Sequence, residues 1–327
     1  MTTSNPPILP TEVAGPESPT SDRHEKLAGP EATRAVRKAF SHPLASLVIT
    51  VLTIVWAIPL VGFFINSFRD KEAVGSTGWW TWFTDLGSST LSNYDAVLSG
   101  DGGLTLPLVN SLAITIPATI IPIFLAAMAA YALAWMRFRG SNFIFFTIFA
   151  LQVVPLQMAL VPLQKYFNSG VQIGGVTLLP SFGLKGTLAE IWLTHTMFSM
   201  PLAVFLLHNF IAQLPGELIE AARVDGASHL RIFRSVVLPL SMPAVASFGI
   251  FQFLWVWNDL LVAKTFGGSD ASSQPVTARI QNLAGNFGSH QELLAPAGFL
   301  AIVIPLAVFL GLQRFFVRGL LAGSVKG

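Results

Sequence analysis

The sequence predicts an all-α, polytopic integral membrane protein: six transmembrane helices, with a cytoplasmic helix-bend-helix loop between the fourth and the fifth. Three observations carry this. Hydrophobic residues make up 52% of the 327-residue chain and charged residues 11%, far below the roughly 25% charge of soluble domains. The apolar residues gather in runs near 44–66, 107–134, 142–164, 188–211, 243–263 and 294–317. Each run is long enough to cross about 30 Å of hydrocarbon at about 1.5 Å per residue. Lys and Arg are also unevenly placed: thirteen of the 19 lie in one alternating set of connections and chain ends, and six in the other. Basic residues accumulate on the cytoplasmic side, so both termini and the loop 212–242 are expected inside the cell, at the cytoplasmic membrane.

Taken in order, residues 1–42 are rich in Pro, Ser, Thr and Glu and show no apolar period, which predicts a disordered cytoplasmic tail. The first apolar run is longer than a signal-peptide core and is expected to stay as a span. The transmembrane domain then covers 43–327. Pro59, Pro117, Pro122, Pro155, Pro201 and Pro305 fall inside the runs and predict kinked, packed helices. The connection 67–106, with Trp79, Trp80 and Trp82, reads as an interfacial or docking segment, and the Gly/Ser-rich connection 267–293 as a flexible loop.

Several function classes are excluded early. A net charge of +2 gives no nucleic-acid surface, and zero cysteines leave no disulfide, thiolate metal site or thiol nucleophile. No Gly-Lys dipeptide occurs, so the phosphate-cradling loop G-x-x-x-x-G-K-[ST] is absent and the chain brings no such ATP site of its own. Energy for uphill transport would have to arrive through a contact. No acid, base and metal-ligand constellation gathers at one depth, so neither an enzyme nor a metal site is expected.

The loop carries the most specific signal: EAARVDGASHLRIFRSVVLPLSMP, residues 220–243. Pro215 suits the start of a helix, Glu217 and Glu220 its positive end, and Leu218, Ala221 and Ala222 fall on one face. Gly226 permits a sharp bend, Ser228 caps a second helix through Ile232 and Phe233, and Pro239 and Pro243 mark the return to the membrane. Leu218 and Val224 offer apolar contact, with Arg223 and Asp225 at the rim. Two readings fit, a docking element or a helix lying on lipid headgroups.

The spacing of Glu220-Ala221-Ala222, three residues, Gly226, nine residues, then Val236-Val237-Leu238-Pro239 resembles the signature loop of permease subunits of binding-protein-dependent ATP-binding-cassette importers. Val236 stands where Ile is commoner. Residues 110–140, 151–163, Trp257-Asn258-Asp259 and the ending 312–327 resemble the smaller permease of the maltose-type and alpha-glucoside-type carbohydrate branch, over about 44–327. The resemblance implies a heterodimer with a second permease, two copies of a cytoplasmic ATPase that bind the ATP, an extracytoplasmic sugar-binding protein, and no cofactor on this chain. It implies that 216–238 is the coupling helix seated on the ATPase, with Glu220, Ala221, Ala222 and Asp225 in the contact and Gly226 setting the bend. It also implies that the 267–293 loop reaches into the binding protein.

Polar residues inside the runs are the candidates for a translocation path, because an ionisable side chain in a span normally faces a bundle interior or water. Asn258 and Asp259 with Trp257 read as a polar and aromatic wall that passes a sugar, or else Trp255, Trp257 and Asp259 form an interfacial belt. Gln152 and Gln157, flanking Pro155, and His195 and Ser199, preceding Pro201, read as path-lining or as interhelical hydrogen bonds that fix packing; Asn110 is treated alike. The leading expectation is a permease subunit that passes an oligosaccharide or disaccharide. The alternative is a stand-alone secondary transporter or channel with Asp259 as its ion site.

Overall fold

The computed structural model describes residues 43–99, 103–136, 138–174, 176–267, 273–285 and 290–324. The expected disordered tail, 1–42, lies outside them. The chain divides into two compact units, 1–61 and 62–327. What is described of the first is α1 (Pro43–Ser67) as far as Val61, an apolar helix without a charged residue. Its Thr53 hydroxyl is satisfied by donating to Ile49 O at 2.8 Å, the usual way a threonine enters an apolar span.

The second unit is built from helices joined by short elements. After α1 come α2 (Lys71–Ser76), a 3₁₀ turn over Trp79–Phe83 and α3 (Ser92–Leu98). Then follow α4 (Thr105–Trp135), α5 (Ser141–Ala150) and α6 (Leu156–Ser169). An antiparallel hairpin, β1 (Val171–Ile173) and β2 (Val176–Leu179), and an isolated bridge between Arg69 and Ser89 depart from all-α. Next are α7 (Leu188–Ile211), α8 (Gly216–Val224), α9 (His229–Ile232) and α10 (Leu238–Trp257). The chain closes with α11 (Leu261–Phe266), α12 (Val276–Ala284) and α13 (Gln291–Ser324).

Among the described residues, five helical stretches are long and apolar enough to cross a membrane: Pro43–Ser67, Thr105–Trp135, Leu188–Ile211, His229–Trp257 and Gln291–Gln313. The third expected span is not a straight helix. Residues Ser141–Val153 and Leu156–Ser169 meet at 105°, and six spans result only if this bent pair counts as one. Pro155 explains the break: it lacks an N–H, and its ring forces Val154 into extended backbone at φ −69°, ψ 117°.

The fifth expected span, 243–263, also shifts. One helical path runs from His229 to Trp257, so Pro239 and Pro243 lie inside it rather than at its start. A π-helical turn over Phe233–Val237 precedes Pro239, and Leu238 N–H reaches back to Phe233 O. Adding one residue to the turn resets the ladder before a residue that cannot donate to it.

Helix α4 packs along α7, and α10 packs on α4, α7 and α13. Buried side chains form one cluster at one end of these helices, with Ala127, Tyr131, Leu207, Ile211 and Phe233. Two further clusters lie toward the opposite end, one with Ile114, Phe167, Ile191 and Phe266, the other with Leu104, Trp257, Val276 and Leu293. At this far end Arg69, 1% exposed, is the knot of the first connection. It donates to Asn66 Oδ1 at 2.9 Å, Ala73 O at 2.9 Å, Thr81 Oγ1 at 3.2 Å and the Thr77 hydroxyl. The connection 267–293 is more ordered than its composition suggests, for it contains α12 with Val276 and Leu283 buried. Val276 N–H donates to Ser111 Oγ at 2.8 Å, and Asn110 Nδ2 to Gln274 O at 3.1 Å. Residues 268–272 and 286–289 of that connection are outside the described ones.

Candidate functional site

The elbow formed by α8 and α9 is built by a short list of local devices. Helix α8 begins after Pro215 and ends where Asp225 and Gly226 donate back to Ala221 O and Arg223 O, both at 3.0 Å. Gly226 then takes φ +75°, a left-handed conformation that costs other residues about 1–2 kcal/mol. Ala227 N–H closes the turn on Ala222 O at 3.0 Å, and Ser228 Oγ caps α9 by accepting from Arg231 N–H.

What makes the elbow rigid is its inner side. Ile219 and Ile232, each 1% exposed, enter the cluster of Tyr131, Leu207 and Ile211, with Ala222 and Ala227 packed against it. Three hydrogen bonds reinforce the contact. Trp135 Nε1 donates to Ile211 O at 3.0 Å, Arg223 Nη2 donates to Trp135 O at 3.1 Å, and the Tyr131 hydroxyl meets His229 Nδ1 at 3.0 Å. The outer side carries Glu220, Ala221, Asp225 and Gly226, all exposed, with Val224 87% exposed and Leu230 61%. The predicted face of Leu218, Ala221 and Ala222 therefore splits: Ala222 packs inward and the other two face out. The inward anchor is Ile219, which the sequence reading passed over. Arg223 is a strut to α4 rather than a free rim group.

The path candidates do not form one site. Gln152 lines a cavity of about 750 Å3 at the break between α5 and α6, walled by α6, α7 and α10. Ser199 lines it too, together with Tyr166, Phe251, Gln252 and Trp255. Gln157 is exposed on α6 and does not line this cavity. His195 is buried, its Nε2 3.6 Å from Asp259 Oδ2 and its ring edge-on to Trp255.

Residues 257–259 have structural partners. Trp257 is 3% exposed, stacks on Phe253 and donates Nε1 to Ala301 O at 3.1 Å, tying α10 to α13. Asn258 turns back to Leu254 O at 2.7 Å, at the end of its own helix. Asp259 Oδ2 accepts from Ala263 N–H at 3.0 Å in the first turn of α11, and its carbonyl accepts from Thr277 Oγ1 at 2.8 Å. Burial pushes this carboxyl, beyond the end of the span, above the usual range, while the backbone N–H groups of Ala263, Val262 and Leu261 pull it back. Sequence reasoning missed Gln252, buried and donating Nε2 to Ala118 O at 3.1 Å, and named Trp255 only in an interfacial belt, whereas both line the cavity. Only a three-helix arrangement puts them beside Gln152. Among the described residues no group of three or more His, Cys, Asp or Glu is placed to hold a metal ion.

Comparison with known proteins follows this geometry. A family model described as "binding-protein-dependent transport system inner membrane component" matches residues 118–322, which contain the elbow, the cavity and α7 to α12. An osmoprotective compounds uptake permease protein of Synechocystis sp. is 48% identical over 283 residues, covering 85% of this chain and 91% of that one. An alpha-glucoside transport system permease protein of Rhizobium meliloti is 49% identical over 260 residues, 79% of this chain but 66% of its own length. A glucose import system permease protein of Saccharolobus solfataricus is 34% identical over 306 residues, with coverage of 90% and 98%. Among solved structures, a bacterial ABC transporter involved in the import of the acidic polysaccharide alginate aligns with a TM-score of 0.66 and 18% identity, over 86% of this chain and 98% of that one. At that identity the likeness concerns the fold.

Proposed function

The chain belongs to the binding-protein-dependent transport system inner membrane components, and from that premise we propose that it is the smaller permease of an ATP-driven sugar importer. It is a transport component and not an enzyme. The proposed cargo is a neutral oligosaccharide or disaccharide. Support comes from the relatives named for alpha-glucosides, glucose and osmoprotective compounds. The proposed assembly pairs it with a second permease, two ATPase subunits that hold the ATP, and an extracytoplasmic sugar-binding protein. It sits in the lipid of the cytoplasmic membrane with both termini inside.

The observation that carries the mechanism is the two-sidedness of the elbow. Ile219 and Ile232 fix it to the bundle, while Glu220, Ala221, Val224 and Asp225 project without use for them inside the chain's core. The Glu220 side chain makes no hydrogen bond or ion pair among the described residues. A partner that grips this outer side moves α4, α7 and the His229–Trp257 helix together, because all three meet at the same buried cluster. ATP-driven closure of two such partners would shift the membrane halves between inward- and outward-open states by rigid-body motion. The stand-alone carrier gains no support from the relatives.

The test is co-purification of an ATPase with the tagged full chain from membranes of its own cell. Glu220→Arg reverses the charge of a group that holds nothing in the chain, so the ATPase should be lost while the permease keeps its thermal stability. Gly226→Pro, which forbids φ +75°, should lose it as well. Retention of the ATPase by both variants would remove the elbow from the mechanism.

A further inference from the structure

The cavity at the break between α5 and α6 gathers polar groups that the protein leaves idle. Of the three tyrosines, Tyr94 donates to Ser67 Oγ at 2.9 Å and Tyr131 pairs with His229. Tyr166 has no hydroxyl partner among the described residues, and it lines the cavity. The indoles of α4, α7 and α10 divide in the same way. Trp135, Trp192 and Trp257 donate Nε1 to the carbonyls of Ile211, Ala113 and Ala301, at 3.0, 2.9 and 3.1 Å. Trp255 donates to nothing described, and it too lines the cavity. Gln152 adds an amide without a described partner, and Ser199, whose hydrogen goes to Thr196 O, offers an acceptor. Tyr and Trp polar ends normally find partners when buried, and these two, on the lining of one space and not sealed from it, are open to bond an occupant.

The walls say what the occupant is. Among the described residues no charged one lines the cavity, and rings of Tyr166, Phe251 and Trp255 alternate with aliphatic side chains. The volume of about 750 Å3 falls within the roughly 300–1,000 Å3 of small-molecule sites. Apolar faces with a few fixed hydrogen-bonding groups match a neutral sugar, whose ring has C–H faces and a hydroxyl edge. A lipid acyl chain would fill the volume but leave the Tyr166 hydroxyl, the Trp255 N–H and the Gln152 amide unanswered. Discontinuous membrane helices are also where transporters place such sites, because the break frees backbone groups at depth.

We propose that this cavity is a neutral-sugar station contributed by this chain itself, with Trp255 and Tyr166 donating to sugar hydroxyls, Gln152 binding a third, and the indole face carrying the ring. The proposal rests on the sugar-permease reading and deepens it. It makes these residues determinants of which sugar passes, alongside whatever the second permease supplies.

The chain has no cysteine, so Gln152→Cys places one thiol at the cavity. Vesicles carrying the complete importer are treated with a membrane-impermeant charged maleimide, with and without maltose, trehalose or sucrose, and uptake of each sugar is measured in parallel. The expected result is labelling at position 152 that a transported sugar slows about tenfold at roughly ten times its Kd, as occupancy by mass action requires. Tyr166→Phe and Trp255→Phe should each lower uptake of that sugar about three- to tenfold, the cost of one lost hydrogen bond, with the ATPase still co-purifying. A thiol that is unreactive, or reactive but unprotected by a sugar the importer carries, overturns the station, as does wild-type uptake by both variants. If the wild-type importer carries none of the three sugars, the sugar-permease reading falls first and the station with it.

Discussion

Glu220 and Ile219 are neighbours on α8 with opposite duties, and single substitutions separate them. Glu220→Arg changes an exposed group, so thermal unfolding should move by less than about 0.5 kcal/mol while coupling is lost. Ile219→Ala empties a fully buried position and should cost about 2–4 kcal/mol, read as a lower unfolding temperature of the purified chain. Asp259 gives a third contrast. Its carboxylate caps α11, and an asparagine oxygen accepts the Ala263 N–H equally well. Asp259→Asn should therefore keep uptake within about threefold of wild type, a change below one hydrogen bond in size. Abolished uptake, or uptake newly indifferent to an imposed pH gradient, would restore the ion-site reading. Trp257 shows why residue roles at this depth are not legible in the sequence. Its identity is visible in the sequence, but its direction is set by α13, where Ala301 O accepts its N–H, and nothing within residues 243–263 encodes that neighbour.

At the scale of elements, the elbow was legible because its determinants are local. Gly226 supplies the left-handed turn, Ser228 the cap, and alanines the close approach, all within a dozen residues. The bend at Pro155 was half legible: a proline flanked by glutamines announces an irregularity, yet a kink and a 105° break look alike until the packing is known. The cavity was not legible, since Gln152, Ser199 and Trp255 come from three elements far apart in the chain. Nor was the far-end knot, because a buried arginine without a carboxylate partner follows no sequence pattern. Arg69→Ala would withdraw the guanidinium from Asn66, Ala73, Thr77 and Thr81 together and leave its buried space unfilled. A cost of about 3 kcal/mol is expected, with faster amide exchange over 66–81 and none in the elbow. Unchanged exchange there would mean that Trp79–Phe83 is held by something other than this guanidinium.

For the molecule as a whole, the division of labour follows from what the chain contains and lacks. It has helices enough to enclose a path, an idle-donor cavity beside a broken helix, and a rigid exposed handle, but no phosphate-binding loop. On the proposed function, transport against a gradient is driven from outside through the handle. The most direct measurement is sugar uptake into sealed vesicles reconstituted with the complete importer, its ATPase and binding protein, and ATP on the ATPase side, comparing wild type with Glu220→Arg. Uptake that needs ATP in the wild type and vanishes in the variant, with the permease still folded, is the predicted result. Concentrative uptake by this chain alone, or undiminished ATP-driven uptake in Glu220→Arg, would contradict it.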